Sequence, residues 1–133
     1  MQVISVSTSS RTQFVDVTAQ VRAAVKKSGV KSGICVLFVP HTTAAVTINE
    51  NADPDVTRDM RTEIDKVIPF DDGYAHTEGN SAAHIKSSLV GCDQTLLVEK
   101  GEPVLGTWQG VYFCEFDGPR SRKLYVKVIP DPQ

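Results

Sequence analysis

The three histidines of the chain all lie in polar segments, where a metal or a small ligand is most easily reached. His41 follows an apolar run, His76 lies in a segment without periodicity, and His84 comes soon after it. Neutral imidazoles suit a borderline metal such as zinc, which in catalytic sites has three protein ligands and an open position for water. No HxxxH or HExxH spacing is present. Two interpretations stay open, namely one shared metal site or three separate hydrogen-bonding histidines.

Carboxylates and amides accompany these histidines along the chain. Glu78 lies two residues after His76, and Glu50 lies in the stretch that begins at His41. A carboxylate near an imidazole is a candidate general base, or a group that orients a metal ligand. Both glutamates are equally compatible with being ordinary loop acids. Three asparagines also have a functional and a structural interpretation, because an asparagine side chain can orient a ligand or cap a turn. They are Asn49, Asn51 and Asn80.

A second group of polar residues suits a small anion. Arg120 follows a Gly-Pro turn and is a candidate for bidentate phosphate binding, to which the helix N-terminus near Asn80 adds N–H donors. Thr42 and Thr43 follow His41 at a strand junction, where side chains are available to a ligand. Gln109 follows Trp108 between two glycines and offers an amide. The alternative for Arg120 is a solvated surface residue, and the alternative for Trp108-Gln109 is a packed loop without a ligand. No phosphate-loop, dinucleotide-binding, serine-hydrolase or nucleic-acid motif is present.

Length and composition predict one domain over residues 1–133. The formal net charge of −2 offers no global basic field for nucleic acid or an anionic membrane. Three widely spaced cysteines without a CxxC pair predict a reducing compartment, and two of them, Cys35 and Cys114, lie in apolar runs. The chain opens without a signal-peptide pattern and has no apolar stretch of the roughly 20 residues that a membrane helix needs. We therefore expect a cytoplasmic location.

The hydrophobic pattern predicts the elements that must position these side chains. Extended runs over 2–8 and 13–17 suggest a hairpin, and a helix follows to about Ser28. The continuously apolar run Ile34–Val39 predicts a strand that is covered on both sides. Asp53-Pro54 is a strong helix start, because an Asp N-cap precedes a proline at the first helical position. The resulting order, β-β-α-β-β-α-α-β-β-β, predicts an α+β fold with largely antiparallel pairing.

The two later helices are predicted to pack through apolar faces. Val56, Met60, Ile64 and Val67 recur at helical spacing after Pro54 and are expected to face the core. Ala82, Ile85 and Leu89 are expected to face inward on the helix that starts at Asn80 or Ser81.

Three blocks of the sequence resemble the YjbQ-like family, over essentially the whole chain. They are HTTAAVTINENADPDV (41–56), HTEGNSAAHIKSSLVG (76–91) and GTWQGVYFCEFDGPRSRKLYVKV (106–128). The resemblance implies an α+β fold with two packed sheets and a homotrimer around a threefold axis. It also implies a secondary thiamine-phosphate synthase activity, which joins a hydroxymethylpyrimidine pyrophosphate to a thiazole phosphate and releases pyrophosphate.

With the resemblance, the candidate residues acquire expected roles. His41, His76 and His84 would hold a divalent metal such as zinc, and Arg120 would meet a phosphate. Glu78 or Glu50 would act as base or orient a metal ligand. The remaining candidates are Asn49 on the catalytic side, and Thr42, Thr43, Asn80 and Gln109 for substrate binding. Two alternatives remain: a non-catalytic trimer that binds a small ligand or metal, and a metal-dependent hydrolase of a phosphorylated metabolite.

Overall fold

A computed structural model describes residues 1–133 and contains three helices and eight strands. In chain order the elements are β1 (Gln2–Ser7), β2 (Gln13–Asp16), α1 (Thr18–Ser28), β3 (Gly33–Phe38), β4 (Ala44–Glu50), α2 (Pro54–Val67), α3 (Ser81–Val90), β5 (Asp93–Glu99), β6 (Glu102–Pro103), β7 (Gln109–Glu115) and β8 (Ser121–Pro130). The predicted α+β class and the predicted order are confirmed, with the two-residue strand β6 as an addition in what was expected to be a turn.

Two antiparallel sheets form the frame. The larger sheet has the order β1-β8-β3-β5-β6, and the smaller has the order β2-β7-β4. The main core fills the space between the two sheets and includes the buried face of α1, with Phe113, Leu37 and Leu124 among its largest fully buried side chains. A smaller cluster, which includes Ala45, Ala83 and Cys114, packs α3 against the other face of the small sheet. The small sheet is therefore the middle layer, with α3 outside it.

The strand that is covered on both sides is β7, in the middle of the small sheet, where every residue from Gly110 to Glu115 is buried. The prediction placed this environment at Ile34–Val39. That prediction is wrong, because β3 alternates between buried and partly exposed residues and ends at Phe38, which is 44% exposed. β3 lies in the larger sheet, whose inner face alone meets the core.

The predicted hairpin of the first two strands is not formed. β1 pairs with β8 in the larger sheet, whereas β2 pairs with β7 in the smaller one. The connection between them instead runs beside the β7–β8 connection. Thr8 donates its N–H to the carbonyl of Arg120 (3.0 Å), and the N–H of Gly118 donates to the carbonyl of Arg11 (3.1 Å). Local alternation cannot show which strand provides the partner, so the two adjacent runs looked like a hairpin.

The helix start at Asp53-Pro54 is confirmed, since Asp53 Oδ1 accepts the N–H of Asp55 at 2.9 Å. The predicted inward face of α2 is wrong for most of its residues, because none is buried and Val67 is 68% exposed, although the partly buried Ile64 packs against the smaller cluster. On α3, Ala82 is buried as expected, but Ile85 and Leu89 are 39% and 72% exposed. The helical spacing of the apolar residues is as predicted, but part of that apolar surface lines a groove of about 370 Å³ between the two helices.

No helix of the protein is both long and apolar enough to cross a bilayer.

Candidate functional site

A cavity of about 730 Å³ collects most of the predicted site residues, and its size is typical of small-molecule sites. Its walls come from the β3–β4 junction, the segment that leads into α3, and the β7–β8 connection. The lining residues are Phe38, Val39, Pro40, His41, Thr42, Thr43, His76, Glu78, Asn80, His84, Cys92, Asp117, Arg120 and Arg122. All three histidines, Glu78, Asn80, Arg120 and both threonines are thus brought together from three segments that are distant in sequence.

Three of the eleven residues with expected roles lie elsewhere, as does the further candidate Asn51, whose Nδ2 donates to Asp16 Oδ2 at 3.3 Å. Glu50 and Asn49 are at the far end of β4, roughly 20 Å along the strand from its start beside the cavity, at ~3.3 Å per residue. Gln109 pairs with Glu50 across the sheet, and its Oε1 accepts the N–H of Gly106 at 2.7 Å. Asn49 Oδ1 accepts the N–H of Glu50 at 2.7 Å. Within one chain the side chains of Asn49 and Gln109 bind local backbone N–H groups, and none of the three residues lines the cavity.

His41 is held as a neutral imidazole at the cavity wall. Its Nε2 accepts the backbone N–H of Lys123 at 3.0 Å, so the proton of the neutral ring is assigned to Nδ1. Burial first, and then the nearby Arg122 guanidinium, hold the pKa of His41 below its ordinary value. Both contributions disfavour the charged form.

His76 and His84 face each other edge to face, with ring centroids 5.6 Å apart and an interplanar angle of 87°. His76 Nε2 lies 3.8 Å from Glu78 Oε2, which is the distance of an ion pair when the imidazole is protonated. These side chains are open to solvent, since those of His76 and Glu78 are 41% and 73% exposed. A ligand can therefore approach the pair directly.

The donor set suits a divalent ion in its chemistry, because three imidazoles and one carboxylate are the groups that zinc prefers. The side chains are not drawn together around one point: no group of three or more His, Cys, Asp or Glu residues is arranged to hold a metal. His41 Nε2 would also have to leave the Lys123 N–H to become a ligand. His76, His84 and Glu78 are the residues nearest to a ligating arrangement.

Arg120 is oriented by Asp117, a residue to which the sequence reasoning gave no role. Asp117 Oδ2 accepts from Arg120 Nη2 at 3.0 Å and from Asn80 Nδ2 at 2.9 Å. Arg120 Nε also donates to the carbonyl of Asp117 at 2.8 Å. The amide of Asn80 is thereby fixed, and its Oδ1 is left buried without a hydrogen-bond partner. An unpaired buried acceptor is costly, so a donor group on a bound ligand would be stabilised there.

A buried ion pair supports the floor of the cavity. The guanidinium of Arg122 donates to both oxygens of the fully buried Glu115 and, through Nη2, to Thr43 Oγ1 at 2.7 Å. Burial alone would raise the pKa of Glu115, but hydrogen bonds from Arg122, the Asp117 N–H and Thr8 outweigh it and hold that pKa below its ordinary value. The pair joins the last residue of β7 to the start of β8 and, through Arg122, to Thr43. The sequence feature that could have predicted this ion pair is Glu115, a single glutamate at the end of the apolar run of β7.

The class of the protein is an α+β domain of two antiparallel sheets, with a polar cavity lined by histidines and arginines. The chain belongs to the UPF0047 protein YjbQ-like family, whose model matches residues 2–131.

Relatives from bacteria and archaea match over nearly their full length. The chain is 54% identical to UPF0047 protein MJ1081 of Methanocaldococcus jannaschii, over 95% of this chain and 91% of that protein. It is 48% identical to UPF0047 protein YugU of Bacillus subtilis, over 97% and 98%. A crystal structure of a Clostridium acetobutylicum family member is 56% identical with a TM-score of 0.95, covering 97% of this chain and 100% of that one. A Sulfolobus solfataricus structure, described as a protein of unknown function, is 35% identical with a TM-score of 0.94, over 98% and 96%.

Proposed function

We propose that the cavity binds a small phosphorylated metabolite and that the protein is a transferase of the thiamine-phosphate synthase type. The observation that carries the proposal is the meeting of Arg120, His76 and His84 on one open cavity of about 730 Å³. Cationic and N–H-bearing groups around such a cavity favour an anionic ligand. The helix dipole of α3 adds to this, because its N-cap residue Asn80 is part of the wall.

The proposed reaction forms one bond and breaks one bond. The ring nitrogen of the thiazole phosphate attacks the methylene carbon of the pyrimidine pyrophosphate, and the carbon–oxygen bond to pyrophosphate breaks with both electrons leaving on the oxygen. No proton has to be removed in that step. The main requirement is stabilisation of the negative charge that develops on the leaving group. In this proposal, Arg120 and the N-terminus of α3, which both line the cavity, provide that stabilisation.

The other cavity residues have supporting roles in this proposal. Glu78 lies beside His76, with 3.8 Å between Glu78 Oε2 and His76 Nε2, and orients that imidazole toward the cavity. A divalent ion, for which His76, His84 and Glu78 are the nearest ligands, would add positive charge for the pyrophosphate when bound. Asn80 Oδ1 is positioned to accept a hydrogen bond from the substrate. Glu50, Asn49 and Gln109 take part only if a neighbouring subunit brings them to the cavity.

A steady-state assay with the two thiamine precursors tests the transferase. We expect Arg120→Ala to lower kcat/KM by about 10²-fold, as for the loss of one charge-stabilising donor. Arg58→Ala is the matched control, because Arg58 is an exposed arginine on α2 that pairs only with Asp55. The transferase assignment is wrong if the unmodified protein turns over no faster than Arg120→Ala.

A hydrolase is the second candidate, because the exposure of His76 and Glu78 leaves the cavity open to water. Release of inorganic phosphate from a panel of phosphorylated metabolites, dependent on His84, would favour it over transfer. Binding of those metabolites without turnover in either assay would instead indicate a non-catalytic binding protein.

We also propose that the protein acts in the cytoplasm as a homotrimer. The resemblance implies the trimer, and the exposed apolar groove between α2 and α3 is consistent with further subunit contacts. The buried free thiols Cys35 and Cys114 are in keeping with a reducing compartment.

A further inference from the structure

A second cavity lies on the opposite side of α3 from the candidate site. Its volume is about 410 Å³, and it is lined by Ser10, Arg11, Thr12, Arg61, Asp65, Phe70, Ala82, Lys86 and Phe116. At about 100° per residue, Lys86 and Ala82 point roughly 160° away from His84 around the helix. α3 therefore presents His84 to the candidate site and Lys86 to this second cavity, and the two cavities share no lining residue.

Lys86 is the unusual residue of this cavity because it is a lysine that is only 4% exposed. Its ammonium pairs with Asp65 Oδ1, which also accepts from Thr12 Oγ1 at 2.9 Å. An ammonium has three N–H donors, and Asp65 is the one hydrogen-bond acceptor that Lys86 meets. The ring of Phe116 lies 6.0 Å from Nζ and gives only a weak contact. Two N–H groups of a buried cation are thus available to an acceptor within the cavity.

The mouth of the cavity adds further positive charge. Arg11 and Arg61 line it, both are exposed, and neither forms an ion pair with a carboxylate. The guanidinium of Arg11 lies 3.8 Å from the centroid of the Phe70 ring, which holds it at the rim. Asp65 is the single carboxylate of the lining, so the three cations leave an excess of two positive charges. This charge is concentrated in a chain whose overall charge is −2.

We propose that this second cavity binds the phosphate monoester of a small metabolite. A phosphate dianion matches the charge excess, and its oxygens can accept from the free N–H groups of Lys86 and from the arginine forks. The volume exceeds what a phosphate group alone fills, and Phe70 and Phe116 supply apolar surface for the rest of the molecule. The proposal is independent of the transfer reaction, because it uses none of the residues of the candidate site.

The test is calorimetric titration with phenyl phosphate and, separately, with inorganic phosphate. Both titrations use the full chain with Arg120→Ala, which weakens the first cavity and leaves the second intact. We expect Lys86→Met to raise the Kd of phenyl phosphate by at least about 10-fold, as for a lost charged hydrogen bond. The double variant Arg11→Gln/Arg61→Gln should do the same. Arg58→Gln removes one charge from the same helix as Arg61, outside the cavity, and should change the Kd by less than about 2-fold.

The double variant changes only exposed side chains, so it decides the question even if Lys86→Met does not fold. Unchanged binding in the double variant, or an equal loss in Arg58→Gln, would show that the cavity is not an anion site. Phenyl phosphate should bind more tightly than inorganic phosphate because of its ring. Equal affinities would overturn the assignment to a phosphate monoester.

Discussion

At the scale of single residues, the candidate site is built on groups whose protonation is set by burial and by their neighbours. His41 is kept neutral beside Arg122, while Glu115 is kept ionised under the same guanidinium. Arg122 acts on both groups, because its positive charge disfavours the charged form of His41 and favours the charged form of Glu115. The sequence revealed the histidines but not this arrangement, because it depends on contacts between residues about 80 positions apart, such as Thr43 and Arg122.

The pKa of His41 is the first prediction at this scale. We expect a value below the ordinary 6.5 in an NMR pH titration of the ring protons. Because the unfolded chain takes up this proton first as the pH falls, the stability that neutral His41 contributes is present above about pH 6.5 and is lost as the pH drops toward the folded-state pKa. A measured pKa of 6.5 or above would contradict the described contacts.

The second prediction concerns the buried ion pair. Glu115→Gln leaves the Arg122 guanidinium buried without its counter-charge, and we expect a loss of about 3–5 kcal/mol of unfolding free energy in urea denaturation. The lowered pKa of Glu115 means that its contribution is present above about pH 4.3 and is lost as the pH falls through the folded-state value. Glu63→Gln is the control, since Glu63 is exposed. A loss no greater than in that control would show that the pair is not stabilising.

At the scale of elements, the sequence was sufficient to predict a helix start but not the pairing of strands that are distant in sequence. The start of α2 at Asp53-Pro54 depends on the two residues themselves, so the sequence was sufficient. The sheet partners of β1 and β2 depend on β8 and β7, more than 90 residues away, and the hairpin prediction was therefore wrong. The apolar faces of α2 and α3 were recognised, but spacing alone cannot show whether such a face meets the core or the surface.

A prediction for α2 follows from its cap. Asp53→Ala removes the acceptor for the Asp55 N–H and should lower the unfolding free energy by about 1 kcal/mol. Asp53→Ser keeps an acceptor at the same place and should recover most of the loss. If both variants are equally destabilised, the stabilising effect of Asp53 does not come from capping.

At the scale of the whole molecule, the two cavities share α3 as a wall, and the candidate site is formed only when three distant segments meet. The polar residue types and their positions in the sequence were sufficient to predict most of the site, since eight of the eleven predicted site residues line one cavity. Glu50, Asn49 and Gln109 do not, because β4 carries the first two away from the site and β7 brings the third beside them.

The proposed assembly gives a prediction at this scale. Light scattering coupled to size exclusion should give a mass three times the 14.5 kDa of the chain. Leu89→Glu and Val67→Glu place charge in the exposed apolar groove, and a reduced mass in these variants would assign that groove to the subunit contact. A single-chain mass for the unmodified protein would contradict the trimer.

The most direct test of the central claim is a crystal structure of the protein with inorganic pyrophosphate, the leaving group of the proposed reaction. We predict that the pyrophosphate lies in the cavity of about 730 Å³, with an oxygen in contact with Arg120 and the two phosphates near His76 and His84. Crystals of Arg120→Ala under the same conditions should lose it. A cavity that holds no pyrophosphate at saturating concentration, or one that holds it equally well without Arg120, would contradict the proposed function.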